Sequence, residues 1–254
     1  MNRTQKNNKK NKKNRTKIMG HTVEYLFGDI FNNETMKMLK IDKTALKQKI
    51  ATQSYVSKQF WDCLFNKISK RPLNVVEACT GLGVDSLVIL SHGANLITYE
   101  IDEKRYEYFK VNYNNIKNRT KLISKDVNAI ARLGSFVNDI DNISKDIINA
   151  DIIYIDPPWI EKGKNYYEKN TEINFSGSTL TDIIKKILNI WKKWDNNNKH
   201  VLILKVPALY PDMTLEMNLM KDFNNVLFRS EKDDYIVPHY QKKGMQWIVY
   251  EFNR

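Results

Sequence analysis

The segment Asp151-Ile-Ile-Tyr-Ile-Asp156-Pro157-Pro158-Trp159 constrains this chain more than any other. Its apolar run, Ile152–Ile155, is too short and too β-branched for a helix and reads as a buried strand. Pro157 has no N–H to give a sheet ladder, so the strand ends before it. Two successive prolines fix two φ angles and make a stiff corner. An acid, that corner and a large aromatic then stand at the carboxyl edge of a sheet, where open α/β sheets bind ligands.

One chemistry suits this set. A planar exocyclic amine is a weak nucleophile because its lone pair is delocalised into the ring. The Asp156 carboxylate and the Pro157 carbonyl can each accept one N–H, which orients the nitrogen and stabilises the charge that develops on attack. Trp159 offers a face for base stacking, worth ~1–3 kcal/mol. The alternative is a plain proline turn with the Trp packed in the core.

With 254 residues, the chain suits one α/β domain plus an extension. Its formal net charge is +12, but eight cations and no acid lie in residues 1–17. Without them the remainder is only mildly basic. This Asn/Lys-rich stretch is expected to be disordered. It suits an arm for nucleic-acid phosphates, or simply a solubilising tail. It lacks the apolar core of a secretory signal, and no run approaches the ~18 apolar residues of a membrane span. Cys63 and Cys79 show no metal-ligand spacing, and the four histidines are scattered, so no metal site is expected. The cysteine usage points to a reducing compartment, nucleus or cytoplasm. The Asn/Lys/Ile bias hints at an AT-rich, virus-like genome.

Three units are expected: the tail at 1–17, a small helical N-terminal lobe at 18–70, and the α/β domain at 71–254. In the lobe, helical spacing covers Glu34–Leu39, Thr44–Ile50 and Val56–Ile68. Leu73–Cys79 reads as the first strand, running into Thr80-Gly81-Leu82-Gly83 and a helix from Asp85 to Ser91. Gly81 and Gly83 permit positive φ and close approach of a ligand. The turn is not a full G-x-G-x-x-G, because Ser86 takes the last place, so a cofactor without phosphates is favoured. Ala94–Tyr99 reads as the second strand. It ends at Glu100, an acid placed to accept both ribose hydroxyls, with Asp102 capping a helix over Glu103–Asn115. Lys121–Ser124 reads as the third strand. Asp126 after it would either meet an adenine amino group or cap a helix over Val127–Val137. Leu180–Trp194 reads as an amphipathic helix, Val201–Val206 as a buried strand and Thr214–Phe223 as a helix. Val226–Arg229 and Gln246–Phe252 read as late strands, the last inserted antiparallel.

Glycine turn, ribose acid, adenine acid and Asp-Pro-Pro-Trp, in that order, resemble the class I S-adenosylmethionine-dependent methyltransferases. That resemblance implies a Rossmann-like seven-stranded α/β sheet and S-adenosyl-L-methionine as cofactor. Its cofactor site would comprise Thr52, Glu77, Cys79, Gly81, Gly83, Glu100, Ile101, Asp126 and Val127, and Asp156, Pro157 and Trp159 would carry the chemistry. Within the class the chain looks most like the RNA cap guanine-N2 (trimethylguanosine synthase) family in its large-DNA-virus branch. Three features carry this: Trp in the box, the Thr52–Val56 segment before Glu77, and Phe175-Ser176-Gly177 before the Leu180 helix. In that family the Trp stacks on the cationic 7-methylguanosine ring, which adds a cation–π contribution. The sequence departs from the family at Asp156, where animal members have Ser, at Ile160-Glu161 after the Trp, and at Ala208 in place of a cap-contacting Arg. Lys205 is the candidate replacement, reaching a cap phosphate. Its alternative is a strand-end lysine in solvent. The polar stretch Glu161–Ser178 interleaves basic and aromatic residues and suits an RNA grip. The partner expected is therefore RNA at its 5′ cap, with no membrane and no metal, for a monomeric enzyme. Methylation of another base amine, or RNA binding without catalysis, are the rival readings.

Overall fold

The computed structural model describes residues 23–44, 54–68, 72–157, 173–194, 199–207, 219, 227–229 and 245–252. Thr52, Pro158, Trp159, residues 1–22, residues 160–172, Ala208 and most of 214–223 lie outside these residues.

The helices α1 (Val23–Phe27), α2 (Asn33–Lys37) and α3 (Ser54–Ile68) precede the sheet. The sheet's first half alternates strand and helix: β1 (Asn74–Glu77), α4 (Val84–Ser91), β2 (Asn95–Glu100), α5 (Glu103–Arg119), β3 (Ala129–Leu133), α6 (Phe136–Asp139), α7 (Ser144–Asn149) and β4 (Ile152–Ile155). A small hairpin, β5 (Asn174–Phe175) and β6 (Ser178–Thr179), turns through Ser176 and Gly177, both at positive φ. Then follow α8 (Leu180–Trp194), β7 (His200–Pro207), β8 (Leu227–Arg229) and β9 (Met245–Phe252).

The main sheet has the order β3-β2-β1-β4-β7-β9-β8. Strands β3, β2, β1, β4 and β7 run parallel, and β9 inserts antiparallel between β7 and β8. The order reverses between β1 and β4, the point where sheets of this type open a crevice at their carboxyl edge. Ile152–Ile155 is buried throughout, because a parallel strand in mid-sheet is covered on both faces.

One face carries Val76, Ile153, Ile155, Leu202 and Leu204 against α6, α7 and α8. Helix α8 turns Ile183, Ile184, Ile187, Leu188 and Trp191 inward, as its periodicity requires. The other face carries Val75, Leu96, Ile152, Tyr154 and Ile203, covered by α3, α4 and α5. Leu26, Phe27, Phe31, Phe60, Trp61 and Leu64 belong to that same core. The N-terminal helices therefore form the layer over one face of the sheet rather than standing apart from it.

The third strand differs from expectation. Residues 121–123 form a bend, and the strand paired to β2 is Ala129–Leu133, with Leu96 opposite Ala129 and Glu100 opposite Leu133. The helix expected over Val127–Val137 is replaced by this strand and the short α6. β3 lies at the sheet's edge and leaves Ile130 and Leu133 about half exposed, so it lacks the buried apolar run by which strands are recognised. No helix among the described residues is long and apolar enough to cross a membrane. Among them no cluster of His, Cys, Asp and Glu could hold a metal ion.

Candidate active site

β1 and β2 end in acids, β4 is followed by one, and β7 carries Lys205 near its end, all toward the same edge of the sheet. At β1 the residue is Glu77, which is wholly buried. The Ser86 hydroxyl donates to its Oε2, as does the Thr98 hydroxyl at 2.7 Å. Burial pushes its carboxyl up to about 8, because the two hydroxyl donors do not compensate for lost water and the charges of Asp85 and Asp156 add to the rise.

The glycine turn follows. The Gly83 N–H donates to the Thr80 carbonyl at 2.8 Å, closing the turn, with Gly81 at φ 55° and Gly83 at φ 75°. A Cβ on Gly83 would lie 3.0 Å from Phe109 Cδ2, so both backbone sign and packing call for glycine there. The turn is tied to β2: the Gly81 N–H donates to Glu100 Oε2 at 2.7 Å, and the Asp102 N–H donates to Glu100 Oε1 at 2.9 Å. Each Glu100 oxygen keeps a further lone pair, the requirement for holding a vicinal diol. Ile101 beside it is 70% exposed, an apolar residue at the crevice mouth. Asp102 accepts from the Arg105 N–H and caps α5.

Cys79 is half-buried next to this turn. Burial pushes its thiol well above the ordinary value, helped by the nearby Asp156, Glu100 and Glu77 charges, so it stays protonated.

At β4 the residue is Asp156, one past the strand. Ile155 of β4 pairs with Leu204 of β7, which sets Asp156 beside Lys205. Lys205 Nζ donates to Asp156 Oδ2 at 2.6 Å and to Asp85 Oδ2 at 3.0 Å. Asp85, on α4, also accepts from the Ser57 hydroxyl, from Trp61 Nε1 at 3.0 Å and from the Tyr154 hydroxyl at 3.0 Å. Burial alone would raise Asp85, but the Lys205 charge and these donors outweigh it and hold the carboxyl below its ordinary value. Burial likewise works against charge on Lys205, but the two carboxylates raise it to about 12, so it remains an ammonium. Asp156 is pushed up to about 6 by burial, with Lys205 opposing and Asp85 reinforcing the rise.

Lys205 thus occupies neither place expected of it. Its side chain is 1% exposed, so it reaches neither a cap phosphate nor solvent. A lysine on the covered face of a mid-sheet strand can keep its charge only with carboxylate partners, and two are present. The signal in the sequence was indirect: Asp85 in the first turn of a buried helix and Lys205 in an apolar strand each need an opposite charge.

Asp126 and Val127 are not brought to the crevice. They precede β3, level with the amino end of β2, whereas Glu100 lies at its carboxyl end. Val127 instead packs in the core, and its carbonyl accepts from Tyr113 and Lys117. The fold therefore assembles Glu77, Cys79, Gly81, Gly83, Glu100, Ile101, Asp156 and Pro157 at one edge, and adds Asp85, Ser57, Trp61 and Tyr154 beneath them.

No protein-family model matches the chain. Uncharacterized protein L320 of Acanthamoeba polyphaga mimivirus is 23% identical over 226 residues, covering 87% of this chain and 79% of the viral one. A solved structure from Porphyromonas gingivalis W83, classed as a methyltransferase, superposes over 86% of this chain with a TM-score of 0.52 and 14% identity. A SAM-dependent methyltransferase from Agrobacterium tumefaciens aligns over 80% of this chain with a TM-score of 0.49 and 16% identity. The chain spans 44% of the first bacterial chain and 63% of the second. The chain has a methyltransferase fold.

Proposed function

We propose that this chain transfers a methyl group from S-adenosylmethionine to an exocyclic amine of RNA, with guanine N2 of the 7-methylguanosine cap as acceptor. One observation carries the reading. The glycine turn with its Glu77–Glu100 acids and the Asp156-Pro157 corner close the neighbouring strands β1 and β4, at the point where the sheet order reverses.

Glu100 would take the ribose hydroxyls, Ile101 the adenine face, and Gly81 and Gly83 the close backbone approach. Glu77, a buried acid with no cation among the described residues within hydrogen-bonding reach, would face the positively charged methionine portion. Asp126, placed at the far edge, has no part in this site. The sulfonium makes the methyl a strong electrophile, so in-line positioning of the amine supplies most of the acceleration. Asp156 is ionised at neutral pH and accepts one N–H through Oδ1, and the Pro157 carbonyl accepts the other. The nitrogen becomes cationic on attack, is strongly acidic in that state, and gives its proton to Asp156 or to water.

The cap assignment rests on the sequence Asp156-Pro157-Pro158-Trp159, whose indole would stack on the cationic base. Mass spectrometry of nuclease digests tests it, after incubation with S-adenosylmethionine and matched capped and uncapped RNA. Methylation of the cap nucleoside, in capped RNA alone, is the expected result. Equal methylation of uncapped RNA would transfer the assignment to an internal base amine, and no transfer to either RNA would refute it.

A further inference from the structure

Lys205 is the most deeply buried cation described, and no step of methyl transfer as set out above uses it. Its ammonium bridges Asp85 Oδ2 at 3.0 Å and Asp156 Oδ2 at 2.6 Å. Asp85 is held in turn by Ser57 and Trp61 from α3 and by Tyr154 from β4. The Trp61 ring packs edge-on against Tyr154 at 5.2 Å, and Lys205 lies 5.7 Å from the Trp247 ring centre. Donors from α3 and β4 thus converge on the Asp85 carboxylate, Asp85 holds the Lys205 ammonium, and that nitrogen grips the carboxylate of the proline corner by one oxygen. Among the described residues, Asp156 Oδ1 has no hydrogen-bond partner, and 28% of the side chain remains open to solvent.

We propose that Lys205 is a positioning residue: anchored on Asp85, it holds Oδ2 of Asp156 and keeps that carboxyl a hydrogen-bond acceptor, leaving Oδ1 for the incoming amine. This rests on the amine-methylation reading for its purpose, though not for its geometry. A protonated Asp156 would present an O–H to an amine hydrogen and would repel rather than orient the acceptor. The risk is real at this position. Asp156 faces Asp85 from α4, Glu77 from β1, Cys79 just past it, and Tyr154 from its own strand, and among the described groups around it the cation is Lys205. Without it, two carboxylates would share a dehydrated pocket, an arrangement in which one of them takes up a proton.

The test follows Asp156 itself. Carboxyl carbons of aspartate are labelled, the Asp156 signal is assigned by its loss in Asp156→Asn, and its titration is followed by NMR in the substrate-free chain. In Lys205→Met the midpoint should move upward by about one pH unit or more. In Asp85→Asn, which removes the repelling charge and keeps the lysine on Asp156, it should move downward. The pH dependence of methyl transfer should show the same opposed displacement of its acid limb, with little change in KM for S-adenosylmethionine. A purely structural role would lower activity at every pH without moving either midpoint. Should Lys205→Met fail to fold, Asp85→Asn still decides by the sign of its shift. An unmoved midpoint in the folded variants refutes the positioning role. Midpoints that move as stated in a chain that methylates no RNA amine would leave the Lys205–Asp156 coupling standing and refute the functional reading alone.

Discussion

Glu77→Gln separates a residue kept for binding from one kept for stability. Glu77 is 1% exposed, and burial lifts its carboxyl from an ordinary 4.5 to about 8. Below pH 4.5 both the folded and the unfolded chain carry the proton, so the group adds nothing to stability. Above it the unfolded chain ionises while the folded chain holds the proton until about pH 8, and stability falls throughout that window. At 1.36 kcal/mol per pH unit, the loss reaches at most about 3 kcal/mol at pH 7 and is below about 1 kcal/mol at pH 5. Glutamine mimics the protonated acid and can keep its oxygen toward Ser86 and Thr98, the two hydroxyls that donate to Oε2. The variant should therefore gain on the native chain by about 2.5 kcal/mol between pH 5 and pH 7. For a chain of this size that is roughly 5–10 °C of relative Tm. Thermal unfolding of both proteins at pH 5, 6, 7 and 8, without cofactor, measures it directly. The same variant should bind S-adenosylmethionine more weakly, since a cationic ligand can draw the proton off the native acid and meet a carboxylate, whereas the amide stays neutral. Stability curves that run parallel with pH would show that Glu77 is ionised in the folded chain, and the reasoning would be wrong.

Two further substitutions separate the halves of the site. Glu100→Ala removes the acceptor proposed for two ribose hydroxyls and frees the Gly81 and Asp102 N–H groups it now receives. Calorimetry should show S-adenosylmethionine affinity lowered by about 100-fold or more, at ~1.5–3 kcal/mol for each charged hydrogen bond, with capped-RNA affinity nearly unchanged. Trp159→Ala should do the reverse, weakening a 7-methylguanosine cap analogue by about 10- to 100-fold through loss of stacking. Methyl transfer to capped RNA that survives Trp159→Ala intact would remove the indole from the site.

Local signals were enough for part of this fold. β1, β2 and β4 declared themselves by apolar runs that end at an acid or a proline, and α8 by its 3.6-residue period. Asp102 was legible as a cap, and its side chain does accept from the Arg105 N–H. β3 was not legible. As an edge strand it leaves Ile130 and Leu133 half exposed, its Ala129-Ile-Ala-Arg-Leu133 was read as part of a helix over Val127–Val137, and Lys121–Ser124 took its place. That misplacement carried Asp126 with it to the wrong end of the sheet. Lys205 failed for a different reason. Its partners, Asp85 and Asp156, are 120 and 49 residues away in sequence, and only strand register brings them together. The same holds for Ser57 and Trp61, whose roles under the crevice depend on α3 lying across the face of β1 and β4.

The most direct measurement is the structure of a ternary complex with S-adenosylhomocysteine and a 7-methylguanosine cap dinucleotide. Guanine N2 should stand about 3–3.5 Å from the position of the transferred methyl, in line with the sulfur, and within about 2.7–3.2 Å of Asp156 Oδ1. The cofactor ribose should rest on Glu100. A cap base bound away from the Asp156-Pro157 corner, or a cofactor lying on the amino edge of the sheet beside Asp126, would contradict the account.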